Sequence, residues 1–279
     1  MMSYENRVKQ QIQKMETTEN VTQMEKGKSN AVIPLMNNTG NYEFTIIIPV
    51  FNEEDNMAAL EEKLSSFLPE SLLKTSVLFV DDCSTDKSLE RIIGICTRGE
   101  HFYHLSFSRN AGLSAALKAG IEATQSTFVG YIDADLQTVP EDFNLLIPYL
   151  REYEMVMGIR TNRDDSFVKR ASSGIANSFR RFMTKDGIAD TGCPLKIIRT
   201  EYAKRVPFFT GMHRFLPALV QLQNGKVKQV PVRHFPRIAG KSKYNLRNRM
   251  VAPFVDCFAF RWMKSRYINY QITGNDLDL

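Results

Sequence analysis

The chain has 279 residues, of which 43% are hydrophobic and 24% charged, and its formal net charge is +5. These ordinary fractions exclude a fibrous repeat and disorder throughout, and the length suits one large α/β domain. The four cysteines are scattered without a CxxC pair, and the sequence shows no basic-then-apolar leader. We therefore expect reduced thiols and a cytoplasmic protein.

Residues 1–40 are polar and carry only one weak helical repeat, which predicts a mobile or partner-docked arm. Over residues 41–245, short apolar runs alternate with segments of helical spacing. This alternation predicts a catalytic α/β domain with a mostly parallel sheet flanked by helices. The predicted strands are 44–51, 77–82, 102–107, 128–133 and 154–159, and helical segments follow Asn52 and Asp86 and cover 111–123 and 141–150.

The ends of the first two predicted strands carry side chains suited to a nucleoside. Phe51 and Glu53 follow the first strand, and together they offer an aromatic face and a carboxylate. Asp82 ends the second strand, where its carboxylate can accept hydrogen bonds from a base or from ribose hydroxyls. Because ligands bind beyond the carboxyl ends of parallel strands, we expect these residues to face one site.

The fourth predicted strand runs straight into Asp133 and Asp135, and Gln137 follows closely. Hard divalent cations prefer oxygen ligands and need few from the protein when phosphates supply the rest. The segment therefore predicts a Mg²⁺ or Mn²⁺ site shared with a diphosphate, with Asp135 as the main ligand. A bare Asp-x-Asp is common by chance, so the prediction depends on its place at a strand end.

Neither GxGxxG nor GxxxxGK[ST] occurs, so phosphate must be held by metal and side chains. Arg109 stands at a strand-to-helix junction where it and the helix N-terminus can face an anion, although a plain surface loop fits equally well. Between Arg233 and Arg249 lies a cluster of basic residues. The cluster could be a solvated face or could bind nucleic acid. We predict instead that it binds phosphate and that the protein has no nucleic-acid partner.

Four motifs now support a resemblance. They are Ile-Pro-Val-Phe-Asn-Glu at 48–53, Val-Asp-Asp-Cys-Ser-Thr-Asp at 80–86, Arg-Asn-Ala-Gly at 109–112 and Asp-Ala-Asp-Leu-Gln at 133–137. In this order they resemble glycosyltransferase family 2 over residues 43–265. Two later segments, Asp-Thr-Gly-Cys-Pro-Leu-Lys at 190–196 and Arg-Ile-Ala-Gly-Lys-Ser-Lys-Tyr at 237–244, are similar to the dolichol- and polyprenyl-phosphate sugar synthases.

The resemblance implies a GT-A fold, a UDP- or GDP-sugar donor and an undecaprenyl or dolichyl phosphate acceptor. It implies nucleotide contacts from Pro49, Phe51, Glu53 and Asp82 and metal contacts from Asp133, Asp135 and Gln137. The implied acceptor-phosphate contacts are Arg160, Arg170, Arg237 and Lys243. We also count Arg109 and Arg160 among the residues that face the donor.

Within residues 246–279, helical spacing relates Phe254, Phe258 and Trp262, and charged residues interrupt the apolar runs. A spanning helix requires roughly 18 to 20 uncharged apolar residues, which no window reaches. The pattern predicts an amphipathic helix that either lies in the membrane interface or packs on the catalytic domain. We expect a peripheral protein on the inner face of the cytoplasmic membrane. The sequence leaves open whether the protein forms a homo-oligomer.

The general base is the open point of the chemistry. A sugar-hydroxyl acceptor needs a carboxylate base, and Asp190 is either that base, a turn residue or a residue that orients a basic side chain. The sequence predicts a metal-dependent, inverting hexosyltransferase that moves a sugar from a nucleoside diphosphate to a polyprenyl phosphate. A saccharide or glycolipid hydroxyl is the alternative acceptor, and an inactive nucleotide-sugar-binding module is the remote alternative.

Overall fold

A computed structural model describes residues 41–160, 178–236 and 246–268, with side chains from residue 254 onward in the last range. Within these residues one sheet has the strand order β3-β2-β1-β4-β6-β5-β7. The strands are β1 (Phe44–Val50), β2 (Thr75–Asp81), β3 (Phe102–Ser106), β4 (Phe128–Tyr131), β5 (Met155–Arg160), β6 (Lys196–Arg199) and β7 (Val227–Val232).

Helices lie between the strands along the chain, and one more helix follows β7. They are α1 (Glu54–Phe67), α2 (Ser88–Arg98), α3 (Leu113–Ala123), α4 (Phe143–Leu146), α5 (Thr200–Arg205), α6 (Leu216–Leu222) and α7 (Leu246–Arg266). Residues 178–184 are also helical. Strand and helix alternate from β1 to β4, as the hydrophobic pattern predicts.

The sheet is parallel except at β6. Strand β1 pairs in parallel with β2 on one side and with β4 on the other, and β2 pairs with β3. Strand β6 is antiparallel to both β4 and β5, and β7 is parallel to β5. The chain therefore reverses its direction of travel across the sheet at β1 and β4, the position where open α/β sheets bind ligands.

The central strands are buried on both faces. All seven residues of β2 are buried, and β1 is buried except at Pro49. Continuous apolar strands of this kind are typical of parallel sheets covered by helices. Helix α3 lies so close to β1 that a Cβ atom on Gly120 would come within 2.8 Å of the Ile47 side chain. A glycine is therefore needed where this helix crosses the sheet.

All five predicted strands are confirmed, with bounds that differ by at most two residues. The helix predicted over 141–150 is instead the single turn of α4 between the 3-10 turns Pro140–Asp142 and Ile147–Arg151. Pro148 explains the break, because it has no N–H for the hydrogen bond that would continue α4. Strands β6 and β7 were not among the predicted elements, and the arm at residues 1–40 lies outside the described residues.

Helix α7 carries apolar side chains on two faces. On the inner face, Cys257 and Phe260 are buried, and the Phe260 ring stacks on Phe215 with 5.7 Å between centroids. The outer face exposes Phe254, Val255, Phe258 and Trp262, at 50% to 68%. Among the described residues no helix is both long and apolar enough to cross a membrane. The predicted apolar stripe is thus half-exposed and in part packed, because Phe254 stacks on Phe179 of the segment 178–184 with 4.4 Å between centroids, while a different face packs on Phe215.

Candidate active site

The loops after β1 and β2 are tied to each other. Asn52 and Cys83 both adopt positive φ angles, 52° and 60°, which turn the chain sharply at each strand end. The Asn52 side-chain oxygen accepts a hydrogen bond from the Thr85 N–H at 2.7 Å, and the Asn52 N–H donates to Ser84 at 2.9 Å. These bonds give the predicted nucleoside side of the site a fixed backbone.

The predicted nucleoside contacts lie in this fixed region. Pro49 and Phe51 are both partly exposed at the end of β1. Glu53 accepts a hydrogen bond from the Asn56 side chain at 2.7 Å, and its N–H donates to the Ser88 hydroxyl at 2.8 Å. The structure therefore brings the three residues to one strand end, as the sequence predicts.

Asp82 binds the loop that carries Arg109. Its buried carboxylate accepts hydrogen bonds from the Asn110 side chain at 2.9 Å and from the N–H groups of Ala111 and Gly112 at 2.6 and 2.8 Å. Arg109 itself is exposed. Both oxygens of Asp82 thus fix the start of α3, a contact that the sequence prediction of a nucleotide ligand did not include.

The two carboxylates after β4 lie close enough to affect each other. Asp133 accepts a hydrogen bond from the Tyr131 hydroxyl at 2.7 Å, and Asp135 accepts one from the Gln137 N–H at 3.2 Å. Burial and the charge of Asp135 raise the pKa of Asp133 to about 6, against the lowering effects of Tyr131 and of the cation Lys196. Paired carboxylates whose charges repel one another suit a divalent cation.

Asp190 forms a two-point ion pair with Arg160. The carboxylate accepts hydrogen bonds from Nε and from one terminal nitrogen of Arg160, each at 2.8 Å, and a third from the Arg160 N–H at 3.2 Å. Both side chains are largely buried. Burial disfavours the charged guanidinium, but the hydrogen bonds and charge of Asp190 outweigh it and raise the pKa of Arg160. Of the three roles open for Asp190, the geometry matches the orientation of a basic side chain.

Two neighbouring groups were not assigned a role from the sequence. Lys196, at the start of β6, is 2% exposed and lies with its ammonium 5.4 Å from the centroid of the Tyr131 ring. Ser114, at the start of α3, contacts His213 Nδ1 at 3.0 Å. Burial lowers the pKa of His213 to about 3, so its imidazole is neutral. For Lys196, the sequence signal that could have been used is its place directly before the apolar residues 197–198.

The remaining predicted site residues lie outside the described parts of the chain. Arg170, Arg237 and Lys243 fall in residues 161–177 and 237–245. The chain enters the second of these segments from a fixed point, because the Gln137 carbonyl accepts a hydrogen bond from the Phe235 N–H at 2.9 Å. The described residues contain no group of three or more His, Cys, Asp or Glu side chains placed to hold a metal.

The sequence matches a known family and named relatives. A family model described as glycosyl transferase family 2 matches residues 45–206. Dodecaprenyl-phosphate galacturonate synthase of Rhizobium johnstonii is 30% identical over 234 residues, which are 80% of this chain and 69% of that protein. Undecaprenyl-phosphate 4-deoxy-4-formamido-L-arabinose transferase of Pectobacterium carotovorum is 30% identical over 72% of this chain. The match spans 62% of that transferase, less than two thirds of its length.

Solved structures resemble the fold at low sequence identity. Glucosyl-3-phosphoglycerate synthase of Mycobacterium tuberculosis, in complex with Mn²⁺, UDP and glucosyl-3-phosphoglycerate, has a TM-score of 0.60 and 14% identity, covering 83% of this chain and 82% of that one. A mannosyltransferase of Pyrobaculum calidifontis, in complex with GDP-Man and Mn²⁺, has a TM-score of 0.58 and 19% identity, covering 78% and 63%. These structures confirm the predicted GT-A fold. The family match shows that the chain is a glycosyltransferase that belongs to family 2.

Proposed function

We propose that this glycosyltransferase moves a sugar from a nucleoside diphosphate to a polyprenyl phosphate, with inversion at the anomeric carbon. The observation that carries the proposal is the buried, two-point ion pair between Arg160 and Asp190. Both relatives named above have polyprenyl-phosphate acceptors in their names, which supports the same acceptor class here.

The ion pair bears on the need for a base. A carboxylate held by a guanidinium through both oxygens is stabilised in its ionised form, so Asp190 is a poor proton acceptor. A phosphate monoester has its second pKa near ~6 and is already ionised at neutral pH. The acceptor oxygen can therefore attack without a base, which a sugar hydroxyl cannot do.

Arginine is suited to the acceptor's phosphate, because its planar guanidinium forms paired hydrogen bonds with phosphate oxygens. Asp190 fixes the orientation of Arg160 at the end of β5. Arg170, Arg237 and Lys243 complete the acceptor site in this proposal, on the basis of the sequence alone.

On the donor side, Asp133, Asp135 and the side chain of Gln137 are the residues that would hold Mg²⁺ or Mn²⁺. Two mutually repelling carboxylates fit a cation whose other ligands are phosphate oxygens. The bound ion supplies positive charge that offsets the charge of the leaving diphosphate. Mn²⁺ accompanies the nucleotide in both solved neighbours described above, which agrees with this assignment.

The chain's own residues then position the two substrates. Asp82 holds the loop of Arg109 against the donor side, and the fixed ends of β1 and β2 present Phe51 and Glu53 to the nucleoside. The acceptor oxygen attacks the anomeric carbon from the face opposite the departing nucleoside diphosphate. Inversion follows from this single displacement.

The outer face of α7 supports a peripheral membrane site, with the acceptor reached from the cytoplasmic side. Its exposed aromatics lie beside the exposed cations Arg261, Lys264 and Arg266. Phe182, on the helical segment 178–184, is also 67% exposed. Exposed aromatic and basic side chains together fit the interface of an anionic lipid surface.

The test compares Asp190→Asn with Arg237→Ala, using polyprenyl phosphate and saccharides as acceptors. We expect transfer to polyprenyl phosphate, a strongly raised acceptor KM for Arg237→Ala, and residual turnover for Asp190→Asn. Transfer only to saccharides, abolished by Asp190→Asn, would instead identify a base-dependent enzyme that acts on a saccharide or glycolipid hydroxyl.

A further inference from the structure

Strand β6 places a lysine inside the sheet, directly beneath the candidate site. Lys196 pairs in register with Tyr131 of β4 and with Met157 of β5. It therefore lies between the strand that leads to Asp133 and the strand that ends at Arg160. With 2% of its surface exposed, its side chain is enclosed by protein.

The Lys196 ammonium contacts backbone carbonyls and an aromatic ring. It donates hydrogen bonds to the carbonyl of Cys193 and, at 3.4 Å, to that of Thr191. The Tyr131 ring lies on another side, 5.4 Å away, and the Tyr131 hydroxyl in turn donates to Asp133. Among the described residues none of the ion pairs includes Lys196.

Such a group is unfavourable for stability, because a buried ammonium loses its hydration without a salt-bridge partner in return. Burial lowers the pKa of Lys196, against the raising effects of Cys193, Asp190 and Asp133. An apolar side chain of the same length would avoid this cost, but it would leave the carbonyls of Thr191 and Cys193 without this donor. Because the two effects oppose each other, fold stability gives no clear preference for the lysine.

What the ammonium holds is the turn that carries Asp190. In this turn the Cys193 N–H contacts the Asp190 carbonyl at 3.5 Å. A Cβ atom on Gly192 would lie 2.8 Å from a terminal nitrogen of Arg160, so the turn packs directly on the guanidinium. Movement of the turn would thus move both partners of the Arg160–Asp190 pair.

We propose that Lys196 is a positioning residue for sugar transfer. Its ammonium fixes the carbonyls of Thr191 and Cys193, and so keeps Asp190 in the place where it orients Arg160 toward the acceptor. The inference rests on the proposed function, in which Arg160 receives the acceptor's phosphate. Lys196 itself contacts the Asp190 turn directly and Asp133 only through Tyr131 and through its charge, so its larger effect should fall on the acceptor side.

The first test is Lys196→Met, which keeps the length of the side chain and removes its charge. We expect a thermal midpoint close to that of the wild type, an acceptor KM raised at least about tenfold, and a clearly smaller rise in the donor KM. The matched control is Lys118→Met, which removes an exposed lysine paired with Glu122 on α3 and should change none of the three. A donor KM raised as much as the acceptor KM, or a loss that follows a lowered midpoint, would overturn the proposal.

The second test is a double-mutant cycle with Asp190→Asn. If Lys196 acts through Asp190, the two changes in acceptor KM should not add, because either one already releases Arg160. Full additivity would contradict the proposal. Should Lys196→Met fail to fold, Lys196→Gln replaces it, and failure of both to fold would show that the ammonium is only a folding element.

The two proposals fail in different ways. The acceptor that the wild type uses is established first, and that acceptor serves for all variants. A wild type that uses a saccharide and rejects polyprenyl phosphate counts against the proposed function. A wild type that uses polyprenyl phosphate, together with an acceptor KM that Lys196→Met leaves unchanged, counts against the role of Lys196 alone.

Discussion

The carboxylates at the strand ends differ in what they bind. Asp82 accepts backbone N–H groups and Asp190 accepts a guanidinium, whereas Asp133 and Asp135 lie close enough for the charge of Asp135 to raise the pKa of Asp133. The first two therefore act on the protein, whereas the last two suit an added cation. This division of roles leads to two predictions at the scale of single residues.

Asp135→Asn should lower Mn²⁺-dependent nucleotide binding by at least about 10²-fold and abolish turnover, because a neutral amide cannot offset diphosphate charge. Calorimetry with UDP and GDP, with and without Mn²⁺, measures the binding. Asp55→Asn, at an exposed acid in α1, is the control and should bind as the wild type does. If Asp135→Asn binds nucleotide as tightly as the wild type in Mn²⁺, the metal site is misplaced.

The affinity for Mn²⁺ should fall as the pH drops through about 6, the raised pKa of Asp133. A proton then competes with the metal, by about tenfold per pH unit well below that value. The stability of the metal-free protein changes with pH in the opposite direction. Because the pKa of Asp133 in the folded state lies above its ordinary value, this group favours folding more as the pH falls from 7 toward 4. Manganese titrations at pH 5 and 7 test the first effect, and equal affinities would contradict it. Asp133→Asn should flatten the pH profile.

At the scale of elements, α7 is joined to the loop before α6. Phe260 stacks on Phe215, and Arg214 lies 3.7 Å from Asp256. The same loop reaches α3, since the Gly211 N–H donates to the Ser114 hydroxyl at 3.0 Å. The helix that presents the proposed membrane face is therefore packed against a loop bonded to the start of α3.

Gly211→Ala should weaken this packing. Gly211 has a φ of +91°, and a Cβ atom there would lie 2.7 Å from the Asp256 carboxylate, so strain and a clash combine. We expect a loss of about 2 to 3 kcal/mol in the free energy of unfolding. Gly187→Ala is the matched control, because Gly187 also has a positive φ of +69° but has open space around its Cβ position.

For Gly187→Ala we expect a loss of about 1 to 2 kcal/mol in the free energy of unfolding, which is the cost of the backbone conformation alone. Denaturant unfolding of both variants gives the difference. Equal losses would show that α7 does not press on Gly211.

The elements differed in how well the sequence predicted them. Strands β1 to β5 are apolar runs between turns, which periodicity detects. Strand β6 has four residues and begins with a buried lysine, and β7 is half-exposed and contains Pro231, so neither has a clear strand pattern. The carboxylates after β4 were predicted because they follow a strand directly.

The hydrogen-bond partners of Asp190 and Asp82 could not be predicted from the sequence, because they are distant along the chain. Arg160 and Asp190 are 30 residues apart, and Asp82 and Gly112 are also 30 residues apart. Only the sheet order brings the members of each pair together. A sequence can indicate that such residues share a strand end, but not which groups form hydrogen bonds with one another.

At the scale of the whole molecule, the exposed face of α7 should bind anionic vesicles. Basic residues near the headgroups contribute about 1 kcal/mol each, and buried aromatics add to this. Replacing both Phe258 and Trp262 by Ser should abolish flotation with such vesicles, with only a small fall in the thermal midpoint, since the Phe258 ring also lies against Phe254 and Phe179. Leu72→Ser, at an apolar residue 61% exposed elsewhere, is the control. High salt should release the wild type, and flotation unaffected by the double substitution would show that this face is not the anchor.

The central claim is that the nucleophile is an ionised phosphate oxygen. The most direct measurement offers the wild-type protein undecaprenyl phosphate, the corresponding polyprenol and a set of saccharides, with UDP- and GDP-sugars and Mn²⁺. The account predicts sugar transfer to undecaprenyl phosphate, with inversion at the anomeric carbon, and no transfer to the polyprenol. Transfer to the polyprenol or to a saccharide, with none to the lipid phosphate, would contradict it.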